Sequence, residues 1–221
     1  MGPLVIAIVS VKKSSERKFA DIGVRDSKLL TKKRREELYD EINEIADEVL
    51  IDKIQPQEIN EAMKNGISLN ELEAVRFSKL LDEMQIEPGA LYLDSPDVIQ
   101  EKFGVRVNMY CKKPTSVVGV KQPAKQKITA FKRTKIISEH KADAKYPVVS
   151  AASIIAKVVR DEEIRRLEDS LGVSIGSGYP SDNSTVEAVK RNLKNHEFKK
   201  NIREYWTTVE EIKQLKIDSF F

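Results

Sequence analysis

Residues 3–11, Pro-Leu-Val-Ile-Ala-Ile-Val-Ser-Val, form a continuous apolar run dominated by β-branched side chains. A strand with this pattern has no polar face to give to water, so both of its faces must be covered. That requirement points to an α/β layer fold. The rest of the chain supplies candidate covers. A polar turn runs from Lys12 to Lys18, and Gly23-Val-Arg-Asp-Ser-Lys28 reads as a loop. Thr31 is the expected N-cap of a helix over 32–47, with Leu38, Ile42, Ile45 and Val49 recurring at helical spacing. Residues 50–54 fit a second strand.

Pro56 suits the first turn of a short helix ending near Gly66. Ser68 and Glu71 have the spacing of a capping box, opening a helix with Phe77, Leu80, Leu81 and Met84 on one face. Pro88-Gly89 ends it, and Ala90-Leu-Tyr-Leu-Asp94 follows as a short buried strand closed by a carboxylate. Residues 105–108 and 135–138 are further strand candidates. From Pro147 the pattern turns helical through Ala151, Ile154, Ile155, Val158, Ile164 and Leu167. Gly172, Gly176 and Gly178 mark a loop, Ser184 with Glu187 has a second capping-box spacing, and 207–216 reads as a last helix. The expectation is an α/β sheet flanked by helices, with a small helical subdomain at the C-terminus.

Charge is informative through its distribution. The chain holds 38 Lys and Arg against 35 Asp and Glu, a balance that names no partner. Between Lys102 and Ser138, however, there is no acidic residue, while ten Lys or Arg occur. Such a block is an electrostatic footprint suited to phosphates. The single cysteine, Cys111, excludes an internal disulfide and suits a reducing compartment. The apolar opening is too short for a membrane span and lacks the basic region that precedes a signal peptide's apolar core. A cytoplasmic protein is expected.

Two carboxylates stand where chemistry is placed in such folds. Asp94 ends a predicted strand, the edge at which open α/β sheets carry functional groups. Asp143 lies between a predicted strand and a predicted helix. If they converge, they offer the oxygen ligands that Mg²⁺ or Mn²⁺ favours. Either one alone is equally compatible with an ordinary turn or helix cap.

The segment His140-Lys-Ala-Asp-Ala-Lys-Tyr-Pro-Val-Val-Ser-Ala-Ala-Ser-Ile-Ile-Ala-Lys157, followed by Arg160-Asp161, resembles the signature of archaeal-type ribonuclease HII. Asp26-Ser-Lys28, Leu93-Asp-Ser-Pro-Asp97 and Gly176-Ser-Gly-Tyr-Pro-Ser-Asp182 agree with it in the same order. The resemblance implies a ribonuclease H-like mixed sheet. It implies cleavage of the RNA strand of RNA–DNA hybrids and nicking 5′ of a ribonucleotide embedded in duplex DNA. It also implies a divalent metal, Mn²⁺ or Mg²⁺, held by four carboxylates, and a monomer. Matched residue by residue, Asp94 and Asp143 correspond to two of those carboxylates. Tyr179 corresponds to the tyrosine that stacks under the ribose at the DNA–RNA junction, and Ser27, Lys28 and Lys141 fall where the family approaches phosphates. On this resemblance, residues 1–170 form the catalytic domain, with a basic insertion at about 110–134. Residues 171–221 form a helical substrate-binding region.

His140 is read as structural. Ser150 and Ser153 lie near a helix N-terminus that favours anions, or they permit close packing there. The chain departs from the family in one respect: it contains no Asp-Glu-Ala-Gly-Arg-Gly motif, which carries the other two carboxylates on the family's first strand. That strand is therefore expected to be incomplete or absent. The expectation is that in-frame coding sequence upstream of Met1 supplies it, and reading that DNA checks the point. A second reading stays open, a non-catalytic binder of RNA–DNA hybrid or duplex nucleic acid.

Overall fold

A computed structural model describes residues 1–25, 27–120 and 134–218, with the side chains of 215–218 left aside. Most of the basic insertion, including Lys121, Lys125, Lys127, Lys132 and Arg133, lies outside the described residues, as does Asp26. The chain divides into two compact units. One comprises Ile6–Asp52 and Asn70–Val158; the other comprises Met1–Val5, Lys53–Leu69 and the residues from Val159 on.

The first unit holds the sheet that matters for the site. Strands β1 (Leu4–Ser10) and β2 (Glu48–Ile54), of which Ile6–Ser10 and Glu48–Asp52 belong to this unit, pair with each other. Strands β3 (Ala90–Asp94), β4 (Thr115–Val117) and β5 (Thr134–Glu139) form a second ladder in the order β3-β5-β4, all parallel. Among the described residues the strands thus form two ladders. As the apolar run requires, four successive residues of β1, Ile6 to Val9, are buried.

The covers are helices. After α1 (Arg17–Asp21), the 14-residue α2 (Lys32–Ile45) starts at Thr31, whose hydroxyl accepts the Arg34 N–H at 3.2 Å. Its Leu38 and Ile42, four apart, are fully buried with Phe19, Ile154 and Ile155 in one core. In the other unit, α3 (Pro56–Lys64) begins with a capping box between Gln55 and Glu58. The helix α4 (Leu69–Glu83) returns to the first unit and buries Leu80 and Leu81.

The segment at 105–108 is not a strand. It lies inside α5 (Gln100–Tyr110), which packs on β5. Val-Arg-Val alternates over too few residues to fix a period, whereas the buried residues of the full segment, Phe103, Gly104 and Val107, follow helical spacing. Conversely, β4 is too short for any alternation to show, and no strand was expected there. The helix α6 (Ala142–Lys145) is a single turn, followed by the 25-residue α7 (Pro147–Leu171).

The second unit gathers the end of α7 with α8 (Asn183–Asn192), α9 (His196–Lys199) and α10 (Thr207–Asp218). Ile164, Ile175, Val189, Phe198 and Ile202 form its core. The helix expected to be capped by Ser184 starts two residues earlier. Its N-cap is Asp182, whose Oδ1 accepts the Ser184 N–H at 2.9 Å, because a carboxylate two residues upstream reaches that amide better than Ser184 can reach its own successors. Among the described residues no helix is long and apolar enough to cross a membrane.

Gly104 is where α5 meets the sheet. A Cβ there would sit 2.9 Å from Ser138 Cβ, 3.2 Å from Ile136 Cγ2 and 3.3 Å from Val117 Cγ1. In an open helix Gly→Ala would gain up to ~1 kcal/mol. Here overpacking, typically ~1–3 kcal/mol, outweighs it. Gly104→Ala is therefore expected to lower the thermal midpoint, and a higher midpoint in calorimetry would show that α5 does not press on β5 this closely.

Candidate metal and nucleic-acid site

The parallel register puts Asp94, the last residue of β3, opposite Glu139, the last residue of β5. Beyond β5 the chain must turn sharply to enter α6. Lys141 makes that turn in the left-handed region (φ 54°, ψ 36°), the one non-glycine residue with positive φ among the described residues. This conformation costs an ordinary side chain about 1–2 kcal/mol, so it persists only where the surroundings enforce it. It aims the first amide of α6 back at β3: Ala142 N–H donates to Asp94 Oδ1 at 3.0 Å.

One residue further, Asp143 is buried, with only 4% of its surface exposed. The Lys28 ammonium approaches its Oδ2 to 3.5 Å from the single 3-10 turn Ser27–Leu29. The Ser150 hydroxyl, on the first turn of α7, donates to the Asp143 carbonyl. Asp94 and Asp143 are close enough to repel. The Asp94 carboxyl is held above its ordinary value, first because protein around the strand end strips part of its hydration. The Asp143 charge adds to this, while the Ala142 amide and Lys28 act in the opposite direction.

Of the residues singled out from sequence, this arrangement unites Asp94, Asp143 and Lys28. Ser27 is fully buried, and its Oγ shares a 2.9 Å hydrogen bond with Ser153 Oγ, which binds the 3-10 turn to α7. Lys141 is exposed. His140 is tied down by its ring Nε2, 2.7 Å from the Asp97 carbonyl, and by its amide, which donates to Gln100 Oε1 at 3.0 Å.

Sequence reasoning gave no role to Asp97. It is buried beneath this turn, accepts from Asn70 Nδ2 at 2.7 Å and lies 3.6 Å from Arg106. Its signals in the sequence were its place three positions after a strand-end carboxylate and its inclusion in the Leu93-Asp-Ser-Pro-Asp97 motif.

Tyr179 belongs to the other unit, on the loop Gly176–Asp182. Thr185 Oγ1 accepts the Gly178 N–H at 2.9 Å and donates to the Ile175 carbonyl at 2.8 Å. Asp182 Oδ2 accepts the Ser177 N–H at 2.7 Å. The Ser177 amide and, with it, the Ser184 amide hold the Asp182 carboxyl down at about 2. The ring of Tyr179 lies over the Arg160 guanidinium, 3.6 Å from Cζ to the ring centroid. In the sequence Arg160 stands out only as part of a motif. The sign of its burial was its position four residues before Ile164 on the apolar stripe of α7.

Two convergent carboxylates fit a divalent cation that keeps several of its waters, and a cation between them would relieve the repulsion that raises the Asp94 carboxyl. Among the described residues no group of three or more His, Cys, Asp or Glu side chains forms a fuller ligand set. The sign of the Asp94 effect on stability follows. The native state holds this proton more tightly than the unfolded chain. Stability therefore falls as pH rises from the ordinary carboxyl value of 3.8 through the raised one, and the penalty is complete above it. Asp94→Asn keeps an oxygen for the Ala142 amide and removes the charge. It is expected to melt higher than the wild type at neutral pH in the absence of metal, with the difference shrinking as pH falls. A lower midpoint at neutral pH would show that the pair is not under electrostatic strain.

The site can be set beside known proteins. The family model described as Ribonuclease HII matches residues 1–209. The chain is 40% identical over 230 residues to Ribonuclease HII of Pyrococcus furiosus, covering 100% of this chain and 92% of that protein. The fold matches the crystal structure of ribonuclease H2 from Pyrococcus horikoshii with a TM-score of 0.78 and 38% identity, covering 97% of this chain and 91% of that one. It also matches RNase HII from Archaeoglobus fulgidus, solved as a complex with PCNA, with a TM-score of 0.76 and 34% identity over 96% of this chain and 90% of that one. A strand-end carboxylate pair in a fold shared at this level of identity leaves one conclusion: the chain belongs to the ribonuclease HII family and is of the ribonuclease H class of enzymes.

Proposed function

We propose that this protein is an endonuclease. It cleaves the RNA strand of RNA–DNA hybrids and nicks 5′ of ribonucleotides embedded in duplex DNA, leaving 5′-phosphomonoesters. The observation that carries the reading is the convergence of Asp94 and Asp143 under the Ala142 amide. Asp94 and Asp143 would hold Mn²⁺ or Mg²⁺. When bound, such an ion activates water and neutralises charge developing on the phosphodiester. Lys28, beside Asp143, and the exposed Lys141 approach backbone phosphates as point charges, and Ser27 sets the turn that carries Lys28. Tyr179 presents a flat face and a hydroxyl to the sugar at the junction, the combination needed to sense a 2′-OH. Residues 1–170 are assigned to catalysis and 171–221 to substrate binding. The basic stretch at 110–134 adds phosphate contacts, each of which steepens the salt dependence of binding. The protein works in the cytoplasm as a monomer.

One observation favours the second reading, a binder without catalysis: among the described residues the carboxylates stop at a pair. A duplex carrying one ribonucleotide, incubated with Mn²⁺ or Mg²⁺, separates the two. Cleavage that Asp94→Asn and Asp143→Asn each reduce beyond the ~10–100-fold typical of losing a supporting partner supports the enzyme. Binding without cutting supports the binder.

The Archaeoglobus fulgidus relative assembles with PCNA, and we propose the same partner class here. The chain ends in Ile217-Asp-Ser-Phe-Phe221, two adjacent aromatics of the kind enriched at interfaces. Replacing Phe220 and Phe221 by Ala is expected to weaken PCNA binding in calorimetry while leaving action on free substrate unchanged. Undiminished affinity would place the contact elsewhere.

A further inference from the structure

Arg160 is a charged residue in an expensive place. It sits in the middle of α7 with 7% of its surface exposed, so most of the hydration of its charge is lost. Three contacts hold it. Nη1 donates to the Ser177 carbonyl at 2.9 Å, Asp161 Oδ1 lies 3.7 Å away, and the flat guanidinium lies 3.6 Å from the centroid of the Tyr179 ring. The backbone makes room for this. At Gly178 (φ 74°) a Cβ would come within 2.9 Å of Arg160 Nη2 and 2.7 Å of Ile164 Cδ1. The loop therefore passes directly over the guanidinium, and no larger residue fits there.

The consequence for Tyr179 is directional. One face of the ring is occupied by a rigid, buried cation. The residue is nevertheless 37% exposed, so part of its surface is turned to solvent. A tyrosine on a bare loop would sample several rotamers. This one rests on a plate anchored in the 25-residue α7 and backed by Ile164, part of the core around Ile175 and Phe198. A desolvated cation–π contact of this kind favours one ring orientation over the others.

Resting on the reading of Tyr179 as the sugar-sensing residue, we propose that Arg160 is its positioning residue: the guanidinium fixes the ring in the orientation that discriminates a ribonucleotide from a deoxyribonucleotide. Arg160 does so without touching the substrate. Its removal should therefore affect sugar preference rather than overall affinity for duplex.

The test is a double-mutant cycle read by fluorescence anisotropy, without added divalent metal. It compares the full chain on duplex DNA carrying one ribonucleotide with the same duplex in all-DNA form. Arg160→Met is expected to reduce the preference for the ribonucleotide duplex about tenfold, the scale of a desolvated cation–π contact. Affinity for all-DNA duplex should hold, and the substitution should add nothing in a Tyr179→Ala background. Arg160→Lys keeps the charge but loses the plate and should fall between. Equal weakening on both duplexes, an unchanged preference, or a loss that adds in full to that of Tyr179→Ala overturns the proposal while leaving the role of Tyr179 standing. A Tyr179→Ala protein with the wild-type preference overturns both. If Arg160→Met does not fold, the same cycle with Arg160→Lys decides, since an additive or absent effect there has the same meaning.

Discussion

The hydrogen bond from the Ala142 amide to Asp94 Oδ1 joins the ends of two parallel strands and fixes everything around the site. Without it the chain leaving β5 would have no reason to adopt a left-handed residue at Lys141, a conformation that costs energy and gives nothing locally. With it, α6 begins where its first amide faces a carboxylate, a favourable end of the helix for negative charge. The next residue, Asp143, is then buried beside the first carboxylate. The Ser150 hydroxyl on the Asp143 carbonyl carries the constraint into α7, and the Ser27–Ser153 pair carries it to the turn that bears Lys28.

That arrangement works against stability. Two carboxylates share a partly desolvated strand end, and the Asp94 carboxyl is raised as a result. Lys28 offsets part of the repulsion from a side chain that is itself largely exposed, so its attraction is screened by solvent. A fold selected only for stability would not keep this pair. A cation placed between the two carboxylates would relieve that repulsion and offset the cost.

How much of this was legible in the chain can be read from particular segments. The β1 run was visible because four consecutive buried residues leave no ambiguity of period, and α2 because Thr31, Leu38 and Ile42 combine a cap with helical spacing. Asp94 was visible because it closes a short apolar strand. The segment 105–108 misled because a four-residue window cannot separate alternation from one turn of helix. What decided it was the contact of Gly104 with Ser138 and Ile136, residues more than thirty positions away. Asp182 displaced Ser184 as the cap because capping depends on which oxygen reaches the amide, and spacing alone does not rank them.

Taken by itself, the sequence determined the layer class of the fold, most of its elements and, through its motifs, which side chains to watch. It did so because burial patterns and short motifs are local properties of the chain. The convergence of Asp94 with Asp143, the burial of Ser27 against Ser153 and the stacking of Tyr179 on Arg160 were decided only by tertiary structure. Each joins residues far apart in sequence, and no local pattern records which distant partner will share a desolvated space.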